Sequence, residues 1–464
     1  MSEWEPVIGL EIHVQLGTRT KMFCGCELAF GDPPNTHTCP VCLGLPGTLP
    51  VTNAMAIHYG LLMGLAFGCE IAERSEFSRK NYFYPDLAKG YQISQYDQPL
   101  CTGGELAGVR LHRIHLEEDA AKLVHESASG RIHGAGASVV DYNRGGTPLA
   151  EMVTEPDIHS AEQAREWLTL LRETLRQLGV SDVDMSQGSL RCDANVSVRP
   201  AGRAEYGTKT ELKNMNSFAH LEAGVNAEIK RQIGRLESGE AVVQETLHFD
   251  PRTGALSSLR SKEEAHDYRY FPEPDLVPVA PTPEMLAAAR AELPELPAAR
   301  IARYVADHGL AEDQARTLVW RPDRADFFEA TVAAGAEPRQ ASNWLARAPE
   351  TRQLTPAALA ALIGLVATRT VSNDAGRTVL ELLIAEGGDP QAIVEREGLA
   401  AIDTGGELEA VVVKVLADHP DVVERIRGGN AKAMGALMGP IMRATKGRAD
   451  GGAVQALIRE KLGL

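Results

Sequence analysis

The sequence predicts an α+β protein: a strand-rich N-terminal body with a mixed or antiparallel sheet, then an all-α domain and a small helical tail. Three observations predict it. VIGLEIHVQL, residues 7–16, alternates apolar and polar side chains with a period of two. FPEPDLVPVAPTPEM, soon followed by ELPELP, carries a proline density that no helix or central strand continues through. Beyond it the composition turns to Ala, Leu, Glu and Arg at helical spacing. The expected domains are residues 1–291, 292–405 and 406–464.

In the first strand, Leu10, Ile12, Val14 and Leu16 share one face, and Gly9, Glu11, His13 and Gln15 share the other. A solvated outer face explains such a polar row, and so does one half of a metal or acid–base site. YGLLMGLAFGC is about half the length that crosses a bilayer, so a buried helix is expected there. Up to about residue 280, short apolar runs are separated by Gly, Pro, Asn and Tyr, the punctuation of strands and loops. In LTPAALAALIGLV, Thr355 is placed to cap a helix, Pro356 suits its first position, and Leu359, Leu362, Ile363 and Val366 form its apolar stripe. VSND opens the next helix, with Val379, Leu382 and Leu383 inward, and AEGGDP stops it. GNAKAMGALMGPIMRATKG and AVQALIREKLGL make a last helical unit after a break near DTGG.

At 464 residues the chain exceeds what a single core supports. Its start, MSEWEP, has no apolar core of signal-peptide length, and its seven cysteines are an odd number in a large chain, so a reducing, cytoplasmic setting is expected. A net charge of −16 excludes a surface that coats nucleic acid throughout. The tail is different. From Arg425 the basic residues Arg425, Arg427, Lys432, Arg443, Lys446, Arg448, Arg459 and Lys461 face only Asp450 and Glu460. That balance fits a local grip on RNA, and fits equally a solvated helical face.

KMFCGCELAFGDPPNTHTCPVCLG places Cys24 and Cys26 on one turn and Cys39 and Cys42 on another. Paired thiolates on tight turns bind zinc tetrahedrally, and four of them leave no open position, so the metal expected here is structural. His37 lies within the loop as a spare ligand. Cys69, Cys101 and Cys192 lack such neighbours and are expected simply to be buried.

Four further stretches are polar in ways a core does not require. SRKNYFYPDLAKGYQISQYDQP interleaves Arg79 and Lys80 with Tyr82, Phe83 and Tyr84, a mixture suited to phosphates and flat bases. RIHLEEDAAK holds His115, Glu117, Glu118 and Asp119; DYNRGGTPLAEMVTEPD holds Arg144, Glu151, Glu155 and Asp157; SLRCDANVSVRP holds Arg191, Asp193 and Asn195. Many carboxylates with few histidines and nearby cations suit a divalent ion and a phosphate better than proteolysis or redox work. There is no Walker loop, no G-x-G-x-x-G and no G-x-S-x-G nucleophile elbow, and GTKTEL resembles a Walker end only superficially. An amide hydrolase within this chain is therefore not supported.

VIGLEIHVQL, RKNYFYPDLAKGYQISQYDQP, HLEEDA, DYNRGGTPLAEMVTEPD, GSLRCDANVSVRP and TELKNMNSF closely resemble, in the same order, the B subunit of the bacterial aspartyl/glutamyl-tRNA amidotransferase. DYRYFPEPDLVP closes the match, and the helical remainder is similar in SNWL and GNAKAMGALMG. The resemblance implies a cradle-like catalytic domain. It also implies an ATP-dependent ligase that phosphorylates the side-chain carboxylate of mischarged Glu-tRNA(Gln) or Asp-tRNA(Asn). Ammonia from glutamine, released by the amidase that forms the A subunit of a heterotrimer whose third member is a small C subunit, then gives the amide.

By motif, the resemblance puts Glu11, His13 and Glu118 around a catalytic Mg²⁺, or Mn²⁺, since histidine is an uncommon Mg²⁺ ligand. The mixture of cations and aromatics puts Arg79 and Lys80 at a nucleotide, and the resemblance puts Lys80, Tyr82, Glu151 and Asp193 near the phosphates or along the ammonia path. Strict alternation through RIHLEEDA sets Glu117, not Glu118, beside His115, so the Glu118 role requires a bulge or strand end. The zinc loop matches members that keep these cysteines, and Lys432, Arg443, Lys446 and Arg448 would touch the tRNA. Two rival readings are a non-catalytic zinc-containing tRNA-binding module and a zinc hydrolase; the second needs an open metal position that four thiolates do not leave.

Overall fold

The computed structural model describes residues 4–126, 134–213, 215–261, 267–348, 350–402, 406–445 and 447–464. The chain forms two units, Met1–Ala298 and Ala299–Leu464.

Strand β1 (Trp4–Gln15) runs through the middle of the first unit's main sheet. Ile8, Leu10, Ile12 and Val14 are buried, and Gly9, Glu11, His13 and Gln15 remain half-buried, so the alternation written in the sequence is the alternation of environment. Helix α1 (Ala54–Ala66) follows the cysteine loop, capped by Asn53, whose side chain accepts from the Met55 and Ala56 amides. It lies so close to the sheet that a Cβ on Gly64 would stand 2.5 Å from the Cys101 sulfur, which explains glycine there. Next come β2 (Glu70–Ile71), β3 (Ser78–Asn81), β4 (Tyr91–Ser94), β5 (Cys101–Thr102), β6 (Glu105–Leu106) and β7 (Val109–Glu118). Then follow the hairpin of β8 (Lys122–His125) and β9 (Ser138–Asp141), β10 (Pro148–Thr154) and α2 (Ala161–Gln177). The unit continues with β11 (Leu190–Pro200), β12 (Thr210–Lys213), α3 (Phe218–Glu237), β13 (Glu245–Asp250), β14 (Ala255–Ser261), β15 (Phe271–Pro272) and α4 (Pro283–Glu292).

The main sheet is ten-stranded, in the order β14-β13-β12-β11-β1-β10-β7-β5-β2, with β6 on β7. All its pairs are antiparallel except β12 with β13, so the sheet is mixed as expected. One face is dry: Leu61 and Met63 of α1, Trp167, Leu168 and Leu171 of α2, and Leu221 and Val225 of α3 join β1's apolar row in one core. Covering a single face leaves the opposite row of β1 for polar work.

The proline-rich segment is more than a connector. Phe271 and Pro272 pair with Arg79 and Ser78 of β3 in a three-stranded sheet β15-β3-β4, and Val279 bridges Ser75. Met285, Leu286 and Leu293 pack on the first core, which carries the boundary past α4 to residue 298 rather than 291.

The second unit is helical. One apolar cluster, around Tyr304, Phe328, Trp344, Leu359 and Leu383, ends at Leu399; another runs from Leu408 to Ile458. Thr355 caps the helix Pro356–Ala367 by accepting from the Ala358 amide, with Leu359, Leu362 and Ile363 buried. Ser372 caps the next, Asn373–Glu386, and Gly387 ends it with a positive φ of 72°. Among the described residues no helix is long and apolar enough to cross a membrane.

Candidate active site and metal centres

Strand register builds the site. On β1, His13 faces Glu151 of β10 and Arg191 of β11, and Glu11 faces Val153 and Asp193. Across β10, Glu151 faces His115 of β7, and Glu117 follows two residues on along the same face. Nε2 of His13 lies 3.5 Å from Glu151 and 4.0 Å from Glu117; Nε2 of His115 lies 3.2 Å and 3.7 Å from the same two carboxylates. Ser94 of β4 donates to Glu117 at 2.9 Å. Ligand atoms of His13, Glu117 and Glu151 all fall within 4.8 Å of one another, and two carboxylates with one imidazole fit a divalent cation of the Mg²⁺ or Mn²⁺ kind.

The group is nearly dry, and its charges hold one another. Burial disfavours imidazolium in His115, yet Glu151 and Glu117 outweigh it and push its pKa up to about 9. His13 is raised for the same reasons, burial opposing and Glu151 prevailing. Burial would raise Glu151, but His115 and His13 hold it well below the usual carboxylate range. Nδ1 of His115 is buried and finds no hydrogen-bond partner among the described residues.

Glu118 stands apart from this group. Pairing of β7 with β10 runs without a break from Ile114 to Glu118, so no bulge occurs there; the strand does end at Glu118, but Glu118 is still in register opposite Pro148. Alternation therefore turns Glu118 away from His115 and Glu117. Its carboxylate instead receives Lys89 Nζ and, at 3.0 Å, the Ile93 amide.

The other expected residues surround the group without joining it. Glu11 accepts from the Asn195 side chain at 2.8 Å. Asp193 is bound by Lys213 at 2.8 Å, which also holds Glu211. Arg79 is engaged by both oxygens of Glu273, at 2.7 and 2.8 Å, which occupies the guanidinium expected for a nucleotide. Lys80 Nζ lies 4.9 Å from the Tyr268 ring centroid. Tyr82 is partly exposed and stacks on Tyr84.

The structure adds residues that the motif reading left without a role. Burial of Asp119 favours its neutral form, but Arg191 and Arg144 keep it charged; its Oδ2 accepts from Gln15 at 2.6 Å and Arg191 at 2.9 Å. Tyr270, stacked on Tyr96 with centroids 4.1 Å apart, has its phenol raised by burial and then by Glu117 and Glu151, so its ring edges the carboxylate group. His115 and Glu117 were within reach of sequence reasoning through their i, i+2 spacing. Tyr270 was not, because only tertiary packing brings it there.

Sulfurs of Cys24, Cys26, Cys39 and Cys42 also lie within 4.8 Å of one another, the donor set and closeness of a tetrahedral zinc site. Cys42 is pulled down to about 4 by the Cys24 hydrogen bond and, further along, by Lys21. Lys21 is itself buried, its ammonium 3.7 Å from Cys42 Sγ and 2.9 Å from the Tyr142 carbonyl. Cys101 and Cys192 are buried and Cys69 half-buried. In the tail Lys432 and Arg443 are exposed, Arg448 pairs with Glu407 at 2.8 Å, and Lys446 lies outside the described residues.

Comparison with known proteins matches residues 6–287 to the family described as the GatB/GatE catalytic domain and residues 326–462 to the GatB domain. Proteins named as the B subunit of aspartyl/glutamyl-tRNA(Asn/Gln) amidotransferase are similar over the whole chain. That of Frankia casuarinae is 49% identical, covering 100% of this chain and 97% of its own length. Those of Anaeromyxobacter dehalogenans (strain 2CP-C) and Brevibacillus brevis are 49% and 47% identical, each covering 100% of this chain and 99% of their own.

Proposed function

Because the chain belongs to the family of aspartyl/glutamyl-tRNA(Asn/Gln) amidotransferase B subunits, we propose that it is the part of an ATP-dependent ligase that activates and amidates the acid carried by a mischarged tRNA. The observation that carries the catalytic part is the convergence of His13, Glu117 and Glu151 on the polar face of the sheet. A carboxylate does not react with ammonia at neutral pH, because oxide is no leaving group. One of its oxygens therefore attacks the γ-phosphorus of ATP and ADP departs. Ammonia then attacks the acyl carbon, phosphate leaves, and the nitrogen gives up a proton. The products are Gln-tRNA(Gln) or Asn-tRNA(Asn).

A divalent cation held by His13, Glu117 and Glu151 would neutralise phosphate charge. The remaining work is positioning. Lys80, its ammonium over the Tyr268 ring, and Tyr82, stacked on Tyr84, would offer a cation and a ring to the phosphates. Asp193, held by Lys213, is assigned to the phosphates or the ammonia path, and Glu11, held by Asn195, stands two residues before His13 on β1. The cysteine loop is assigned a structural zinc. Ammonia is assigned to a glutamine-hydrolysing amidase, the A subunit, with a small C subunit making up a cytoplasmic heterotrimer. Lys432, Arg443, Lys446 and Arg448 are assigned to tRNA. A non-catalytic zinc module that only binds tRNA leaves the buried histidine–carboxylate group without a purpose.

Reconstitution with the amidase and the small third protein, mischarged tRNA, ATP and glutamine tests the reading. Amide formation that depends on ATP, and that falls about a hundredfold in Glu151→Gln, is expected. A wild-type rate in that variant overturns the catalytic assignment.

A further inference from the structure

Beside the metal group the sheet opens. Pairing of β1 with β10 stops at Glu11 opposite Val153, and the next backbone contact is the Ile8–Ile158 bridge. Between them the Leu10 amide is satisfied by the side-chain hydroxyl of Thr154, at the end of β10, at 2.9 Å rather than by a backbone carbonyl of that strand. The parted strands leave a hollow of about 240 Å³ over Gly9, with Pro156 on one side and Tyr206 and Lys209 on the other.

Gly9 is not demanded by its backbone. Its φ is not positive, and a Cβ there would meet nothing nearer than 3.8 Å. What a side chain at this position would remove is the open floor. The outer wall is fixed in place by another glycine: at Gly207 a Cβ would stand 2.2 Å from the Val198 carbonyl oxygen, so only glycine lets residues 206–209 fold back this closely. Tyr206 stands on that wall with 64% of its surface exposed, and the Arg199 guanidinium lies 5.6 Å from its ring centroid. Lys209 is exposed and has no ion-pair partner among the described residues.

We propose that this hollow seats a nucleoside, its base against Pro156 and Tyr206, with Lys209 at its phosphate and the rest of the ligand running along β1 to the His13 group. The inference rests on the ATP-dependent reading of that group. Size supports it: pockets that enclose whole ligands run ~300–1,000 Å³, so this one takes one end of a longer molecule. Reach supports it too, because Gly9 and His13 are four strand residues apart, roughly 13 Å, with Glu11, which lines the hollow, midway between them. An exposed ring is a base-stacking surface, and an unpaired ammonium at the rim suits an anion. The same chemistry is carried by the nucleoside of ATP and by the terminal nucleoside of the aminoacyl-tRNA.

The test uses the assembled heterotrimer and three variants: Gly9→Val, which fills the floor, and Tyr206→Ala and Lys209→Ala, which alter an exposed wall and keep the question answerable should Gly9→Val not fold. KM is measured separately for ATP and for mischarged tRNA. A rise of about tenfold or more in KM for ATP, larger than any fall in kcat, assigns the hollow to the nucleoside triphosphate. The same rise for the tRNA alone assigns it to the tRNA terminus. Folded variants with both KM values unchanged overturn the proposal. Wild-type enzyme that forms amide without ATP would instead overturn the underlying reading.

Discussion

Nε2 of His115 and Oε2 of Glu151 lie 3.2 Å apart across two neighbouring strands, and this contact ties the stability of the site to pH. The folded pKa of His115 is raised to about 9, with burial opposing and Glu151 prevailing, against ~6.5 for an unperturbed histidine. A group whose pKa is raised on folding contributes stability fully below its unfolded value and loses it as pH climbs through the folded one. Urea unfolding of the chelator-treated protein is therefore expected to show stability falling between about pH 6.5 and pH 9, with a flatter profile in His115→Gln. A wild-type profile level across that window refutes the pairing.

Glu117 and Glu118 are neighbours with opposite assignments. Mn²⁺ binding followed by electron paramagnetic resonance is expected to weaken at least about tenfold in Glu117→Gln and to change little in Glu118→Gln. The reverse order would restore Glu118 as the ligand and require β7 to slip its register.

A closed thiolate site stabilises rather than catalyses. Cys24→Ser is expected to remove close to one zinc per chain and to lower the melting temperature by several degrees, while the protein that remains folded keeps its turnover. Turnover lost in proportion to zinc, with no loss of stability, would mean the metal takes part in the reaction.

Lys432 and Arg443 stand exposed in the helical tail. Reversing both charges is expected to weaken tRNA binding and to lower the salt slope by about 0.7–0.9 per lost phosphate contact. Arg448 is a poorer probe, because its removal also breaks the pair with Glu407. Binding that keeps its affinity and slope takes the tail out of the interface.

Much of this was legible beforehand because it is local. Alternation in β1 fixed which of its residues face the core, and caps such as Thr355 and Ser372 fixed helix starts. The choice of Glu117 over Glu118 follows from the same period of two, which outranked the motif. What the sequence left open depends on distant partners. Nothing local shows that Glu151 meets His115, that Tyr270 edges the carboxylates, or that Glu273 occupies Arg79. Proline density was read as a boundary because proline cannot continue a central strand, yet two residues suffice at a sheet edge, and the apolar side chains of α4 drew the boundary onward.

The pairing of β3 with β15 joins Arg79 to Glu273, 194 residues further along the chain. A ribosome adding roughly 5–20 residues per second needs roughly 10–40 s to supply that partner. Until then β3 offers a bare edge and Arg79 has no counter-ion from Glu273. Nascent chains stalled between these two points should hold β1 paired with β10 while Tyr270 and Phe271 are still missing from beside β3 and β4, which makes the arrival of β15 a late event of synthesis and the interval before it a time of exposure to chaperones.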